Sequence, residues 1–317
     1  MFKLDNKIGL GLASLGRPGY INIGHDTDLG IDKSKSKMKE NCHQVLDFAY
    51  DNGIRYFDTA RVYGDSEEFL STWIRNQNKF NGFVGSKWGY EYLANWEINV
   101  DKHERKDHSA AFLKHQWIET RLNLGKNIDL YHIHSVTPDS KVLEDPSVIA
   151  ELETIKKSGI DIGISTSGPD QKKTIEHFIK VNESLKLFSF LQSTINIFDQ
   201  SCLSVLEDAS NQKINIIAKE VFSNGRLTTA NNNFHTKEIE NLKVIAKKLN
   251  LSLEELSFLW VYQFPFIKIV LTGASTISQL KDNIECLKKK DIPIPNLDEF
   301  AISVDDYWST RKLLNWN

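Results

Sequence analysis

Cysteine is scarce in this 317-residue chain: Cys42, Cys202 and Cys286 lie far apart, and no CxxC pair occurs. So sparse and odd a set argues against a disulfide frame and a zinc knuckle, and it fits a reducing compartment. Charge of one sign is not banded either. Lys and Arg total 39 against 42 Asp and Glu, a net charge of −3, although SKSKMK is locally basic. Such scatter offers neither a nucleic-acid footprint nor a membrane-surface patch. The apolar runs fall far short of a membrane span. The N-terminal MFKLDNKIGLGLASLG carries Asp5, lacks a convincing small-residue cleavage site, and reads as a first strand rather than a signal peptide. A cytoplasmic protein without nucleic-acid or membrane partners is expected, and no pattern speaks to its oligomeric state.

What is present is a regular alternation. Eight β-like runs occur at 8–13, 54–58, 83–87, 129–134, 161–165, 187–193, 214–218 and 267–273, separated by amphipathic helical stretches. Strands separated by helices pair in parallel through crossovers, and eight such units predict a single closed (β/α)8 TIM barrel over residues 1–317. An open doubly wound sheet is the alternative, but no Gly-rich dinucleotide turn follows any run. Asp65…Glu68, Ser252…Glu255 and Thr276…Gln279 have or closely resemble capping-box spacing. Ser36 is a candidate cap for a helix over 38–52 that stops at Asp51-Asn52-Gly53. Three long segments, 14–36, 88–108 and 219–235, each follow a strand, on the barrel face where active sites form. Residues 296–317, with Trp308 and Trp316, form a C-terminal tail placed near the barrel mouth.

Asp58, Lys87 and His134 each close a strand run, and Tyr63 follows five residues after Asp58. Polar residues at C-terminal strand ends of a barrel point to chemistry. A phenol has a pKa of about 10, and a nearby ammonium lowers it by stabilising the ionised form. Phenol, ammonium, carboxylate and imidazole gathered together suit the delivery of a proton to an oxygen. A different chemistry competes for part of this set. His132 and His134 lie two apart on a strand and so project to one side, a spacing that also serves a metal-dependent hydrolase, with His103 or His108 as further ligands. That reading leaves Tyr63 and Lys87 without a role.

The segments FDTARVYG, VGSKWG, DLYHIHSV, SGIDIGISTSG, LQSTIN and LTGASTISQLKDNI, in this order and spacing, resemble the aldo-keto reductase family over nearly the whole chain. The resemblance implies an NAD(P)H-dependent oxidoreductase interconverting a carbonyl and an alcohol, without a metal. It implies Tyr63 as general acid, Lys87 lowering its pKa, Asp58 balancing the Lys, and His134 orienting the carbonyl oxygen. It places Ser165, Thr166 and Gln192 on the nicotinamide carboxamide, and Gly273, Ala274, Ser275, Gln279 and Asn283 at the adenosine end. Phosphate can also use the N-terminus of the helix starting near Thr276. In IIAKEVFSNGRLT it puts Lys219, Asn224, Gly225 and Arg226 at the cofactor.

Three departures stand out. Thr166 replaces the family's usual Asn, Lys219 takes the place of an aromatic that stacks on the nicotinamide, and Gly273 and Gln279 sit where some members carry Lys and Arg for a 2′-phosphate. Ser275 and Gln279 still offer hydrogen bonds to a phosphate, so the expectation leans to NADP(H) over NAD(H). A catalytically slow nicotinamide-binding regulatory protein on the same barrel is the second reading of the resemblance. The loop after Lys87 brings Trp88, Tyr90, Tyr92 and Trp96 and the charged run from His103 to His108. Trp88, Tyr90 and Trp96 are the candidate substrate slot, although the same rings also suit packing of the loop. RPGYINIGHD has the Gly and Pro content of a shaped lid, and the tail is a candidate wall.

Overall fold

In the computed structural model, which describes residues 7–317, eight parallel strands close into a barrel. In chain order the strands are β1 (Ile8–Gly11), β2 (Tyr56–Asp58), β3 (Phe83–Trp88), β4 (Tyr90–Tyr92), β5 (Glu104–Lys106), β6 (Leu130–Val136), β7 (Asp161–Thr166), β8 (Phe190–Thr194), β9 (Asn215–Lys219) and β10 (Ile267–Thr272). The barrel runs β1-β10-β9-β8-β7-β6-β3-β2, with β4 and β5 apart from it as an antiparallel pair. Each of the eight expected runs supplies one barrel strand. Such strands are covered on both faces, which is why they read as apolar runs. The start of the N-terminal strand reading, residues 1–6, lies outside the described residues.

Inward residues follow the pleat, every second position on one face. Tyr56, Leu130, Phe190, Ile217, Ile269 and Leu271 form an apolar floor inside the barrel. The larger core lies between the strands and their helices. Gly163 on β7 makes room for its neighbour: a Cβ there would lie 2.6 Å from His132 Nδ1.

The long segments are more ordered than expected. Segment 88–108 holds the β4–β5 pair, 14–36 holds a short helix at His25–Leu29, and 219–235 a 3-10 turn at Ser223–Gly225. Two helix starts differ from expectation. Ser34, not Ser36, caps helix Lys35–Asp51, accepting the Lys37 N–H, while Asp32 accepts the Ser34 N–H. The Asp65 carboxylate makes no cap because it pairs with Lys35 at 2.8 Å. Ser252 and Glu255 form a complete capping box. Thr276 accepts the Gln279 N–H, but the Gln279 side chain takes the N–H of Ser275, one residue earlier than a box requires. Gly53 ends the second helix at φ 84°. None of the described helices is long and apolar enough to cross a membrane.

Candidate active site

Asp58, Lys87 and His134 from their strands and Tyr63 from the loop after β2 meet above the floor. Lys87 is fully buried, and its ammonium forms a very short ion pair with Asp58 Oδ2. The same Nζ donates to the Thr59 carbonyl at 3.0 Å and to the Tyr63 hydroxyl at 3.4 Å. Asp58 Oδ1 accepts from the Tyr56 hydroxyl at 3.3 Å and from Gln192 Nε2 at 2.9 Å. One carboxylate thus gathers an ammonium, a phenol and an amide from three strands. Tyr63 is brought back over β2 by a turn in which its N–H bonds the Ala60 carbonyl at 3.0 Å. Gly64 allows that turn, at φ 60° and packed so closely that a Cβ would lie 2.4 Å from the Gly16 carbonyl.

The His134 ring stands edge-on to Tyr63, with centroids 5.6 Å apart, and to Tyr90 at 5.2 Å. β6 changes register between Ile133 and Val136, with Ser135 at φ 51°. The Ser135 N–H then donates to Ser165 Oγ at 2.8 Å. Burial holds the His134 imidazolium pKa well below its usual value, and Lys87, Lys219, His108 and Arg17 add to the effect. His134 is therefore a neutral hydrogen-bonding group. Tyr63 runs against the expectation from its ammonium neighbour. Burial pushes its pKa well above the usual value, Asp58 adds to the rise, and Arg17 opposes it. With the Lys87 ammonium tightly paired to Asp58, the phenol keeps its proton.

A cleft of about 940 Å³ opens from these residues. Asp58, Tyr63, Tyr90, His134, Gln192, Lys219, Asn224 and Gly225 line it, as do Gly273, Ala274, Gln279 and Asn283 beyond β10. Other expected residues are not brought to it. Ser165 and Thr166 are adjacent on a strand and face opposite ways; Thr166 Oγ1 donates to Ser193 Oγ and Gln171 Oε1, at 3.0 and 3.3 Å. Arg226 is buried against Tyr307, with Nε on the Ser223 carbonyl. Ser275 is almost wholly buried beside the cleft. Trp88 is buried against His108, and Trp96 donates Nε1 to the Lys33 carbonyl at 2.8 Å. These two rings hold the loop to the barrel rather than line the cleft. His132 is buried across from Lys87 in the β3–β6 register, its pKa pressed down to about 3, first by burial. Among the described residues no cluster of three or more His, Cys, Asp or Glu is arranged to hold a metal.

Glu220, Arg311 and Arg17 line the cleft without having been marked as site residues by the sequence, whereas Lys219 was. Lys219 donates to Thr194 Oγ1 at 2.9 Å and lies 3.6 Å from Glu220. Arg311, from the tail helix Val304–Lys312, clasps Glu220 at 2.7 Å. Burial alone would raise the Glu220 pKa, but Arg311 and Lys219 prevail and bring it to about 2. Arg17 is nearly buried, bonds the Val62 carbonyl, and lies 3.5 Å from Glu104 on β5. Its guanidinium sits 5.7 Å from the Tyr63 ring and 4.7 Å from that of Trp316. Trp316 stacks on His103 at 4.0 Å, and Asn317 exchanges two backbone hydrogen bonds with Tyr20. No local pattern marked Arg17, Glu220 or Arg311; they converge only in the folded chain.

Residues 7–301 match the Aldo/keto reductase family. The chain is 26% identical to the uncharacterized oxidoreductase YqkF of Bacillus subtilis (strain 168) over 277 residues, covering 81% of this chain and 83% of that one. It is 23% identical to the aldo-keto reductase str7 of Strobilurus tenacellus over 305 residues, 88% of this chain and 85% of the relative. Among solved structures, the holo form of the aldo-keto reductase AKR11C1 from Bacillus halodurans superposes with a TM-score of 0.67 at 19% identity, covering 95% of this chain and 92% of that one. The chain belongs to the aldo/keto reductase family and is an NAD(P)-dependent oxidoreductase.

Proposed function

We propose that the protein interconverts an aldehyde, ketone or sugar carbonyl and the corresponding alcohol, with Tyr63 as the proton donor and acceptor. The observation that carries this reading is the Lys87 ammonium, held by Asp58 and 3.4 Å from the Tyr63 hydroxyl, at the inner end of the cleft. The cleft fits an elongated dinucleotide: Gln192 offers an amide at the inner end, Asn224 and Gly225 border the middle, and Gln279 and Asn283 offer amides beyond β10. A bound reduced nicotinamide supplies the hydride. The protein's own residues handle the oxygen and its proton. Neutral His134 hydrogen-bonds the substrate oxygen and orients it. Tyr63 delivers its phenolic proton as negative charge grows on that oxygen, and the Lys87 ammonium stabilises the phenolate left behind. Asp58 holds Lys87 in place through the ion pair and aims it at Tyr63. Proton transfer from a placed group contributes roughly 10²- to 10⁴-fold. In the reverse direction the same phenolate removes the alcohol proton.

The test follows absorbance of the reduced nicotinamide with a panel of aldehydes, ketones and sugars, for the wild type and Tyr63→Phe. Turnover in the wild type and a loss of about 10²-fold or more in the variant, with dinucleotide affinity within a few fold, is the expected result. A variant that reduces carbonyls at the wild-type rate removes Tyr63 from the mechanism.

A further inference from the structure

We propose that Asp28 makes the cleft selective for NAD(H) over NADP(H), by taking the adenosine ribose hydroxyls and repelling a 2′-phosphate. This rests on the dinucleotide reading above. With the nicotinamide at Tyr63, the adenosine falls beyond β10, where Gly273 and Ala274 lead into helix Ile277–Cys286. The polar side chains at that turn are not free to receive a phosphate. Gln279 Nε2 donates to Asp28 Oδ2 at 2.7 Å, and Ser275 Oγ donates to the same oxygen at 3.3 Å. Gln279 Oε1 accepts from the Ser275 N–H at 3.0 Å. Asp28 arrives from the segment after β1, which crosses the cleft and is tied to its other wall by the Ile23 N–H on the Asn224 carbonyl at 3.1 Å.

The surrounding charge agrees. Glu254, Asp282 and Glu285 also line the cleft at this end. The cations in the lining are Arg17, Lys219 and Arg311. Each is committed toward the Tyr63 end of the cleft: Arg17 to Val62 and Glu104, Lys219 to Thr194 and Glu220, Arg311 to Glu220. A 2′-phosphate brings about 1.5 to 2 negative charges at neutral pH and would meet carboxylates with no uncommitted cation among the described residues of the lining. A ribose diol instead donates hydrogen bonds to a carboxylate, the role an acidic residue takes in other NAD sites.

The experiment is calorimetric titration of the purified protein with NADH and NADPH at one fixed, low ionic strength, where charge effects are least screened. NADH is expected to bind at least about tenfold more tightly. Asp28→Asn keeps the shape and removes the charge; it is expected to narrow that ratio about fivefold or more, mainly by strengthening NADPH binding. Asp28→Ala, which also loses the tie to Gln279, is expected to narrow it similarly. NADPH binding as tightly as NADH to the wild type overturns the proposal. So does an unchanged ratio in Asp28→Asn, or a ratio that moves only in Asp28→Ala, which would assign the effect to the tie rather than to the charge. Those outcomes leave the nicotinamide reading standing, whereas binding of neither dinucleotide removes both.

Discussion

The barrel interior has two levels built from the same strands. At the floor stand Tyr56, Leu130, Phe190 and Ile217. Two residues further along β2, β6, β8 and β9 stand Asp58, His132, Gln192 and Lys219. Lys87 lies likewise two residues past Gly85 on β3. One period of the pleat, two residues on the same face, separates packing from chemistry. The floor needs only volume and apolarity. The upper level holds a neutral imidazole and a buried ion pair that is stable only while both its partners are present.

Substitutions at the two levels should therefore fail differently. Lys87→Met leaves Asp58 buried and unpaired, so a stability loss of about 3–5 kcal/mol is expected in urea unfolding, together with loss of turnover. Adding Asp58→Leu should recover most of the stability and none of the turnover; a double variant no more stable than the single one would deny that the unpaired charge is the cause. Phe190→Ala at the floor, where Phe190 is only 3% exposed, should cost a similar 3–5 kcal/mol or so. Unlike Lys87→Met, it should leave the protonation of Tyr63 in place, so the pH–rate profile of the folded fraction should not move. A displaced profile would mean that the two levels are coupled.

Acid sharpens the contrast further. His108 and His132 are held at about 4 and about 3, below the ordinary 6.5, by burial first, and His134 is lowered likewise. The unfolded chain binds protons on these imidazoles below pH 6.5, while the folded chain does not until pH reaches the lowered values. Their contribution is fully present above 6.5 and is lost as pH falls toward about 4 and then about 3. Urea midpoints should therefore drop steadily from pH 7 to pH 5, and a flat profile would contradict neutral burial. A smaller effect is expected from Arg311→Ala. Glu220 is held at about 2 against an ordinary 4.5, so its contribution is present above 4.5 and is lost as pH falls toward 2. The variant should unfold at a higher pH than the wild type within that window, and an unchanged acid midpoint would argue that Arg311 does not stabilise the Glu220 carboxylate.

The barrel was legible because parallel strands buried on both faces leave continuous apolar runs such as IKIVLTG, and the helices between them carry their own start signals. Strand ends were legible too, and they group Asp58, Lys87 and His134 by position in the sequence alone. The β4–β5 pair was not: YEY and ERK are strands of only three residues, too short to stand out as runs. That Ser165 and Thr166 face opposite ways follows from the sequence itself, since they are neighbours on one strand. Arg17, Asp28 and Arg311 were invisible because their partners lie far away along the chain. Only the folded chain brings Arg17 to Glu104, Asp28 to Gln279 and Arg311 to Glu220.

The stack of Trp316 on His103, with Tyr20 and Asn317 paired beside it, has a consequence for motion. It fastens the first loop, the hairpin segment and the tail into one cap whose contacts are mutual. Small cooperative units held by few apolar contacts open more readily than the body they rest on. Amide hydrogens of Tyr20, Leu93 and Asn317 should thus exchange together and ahead of the strands, so that molecules enter and leave by a concerted lifting of the cap while the cylinder beneath stays rigid.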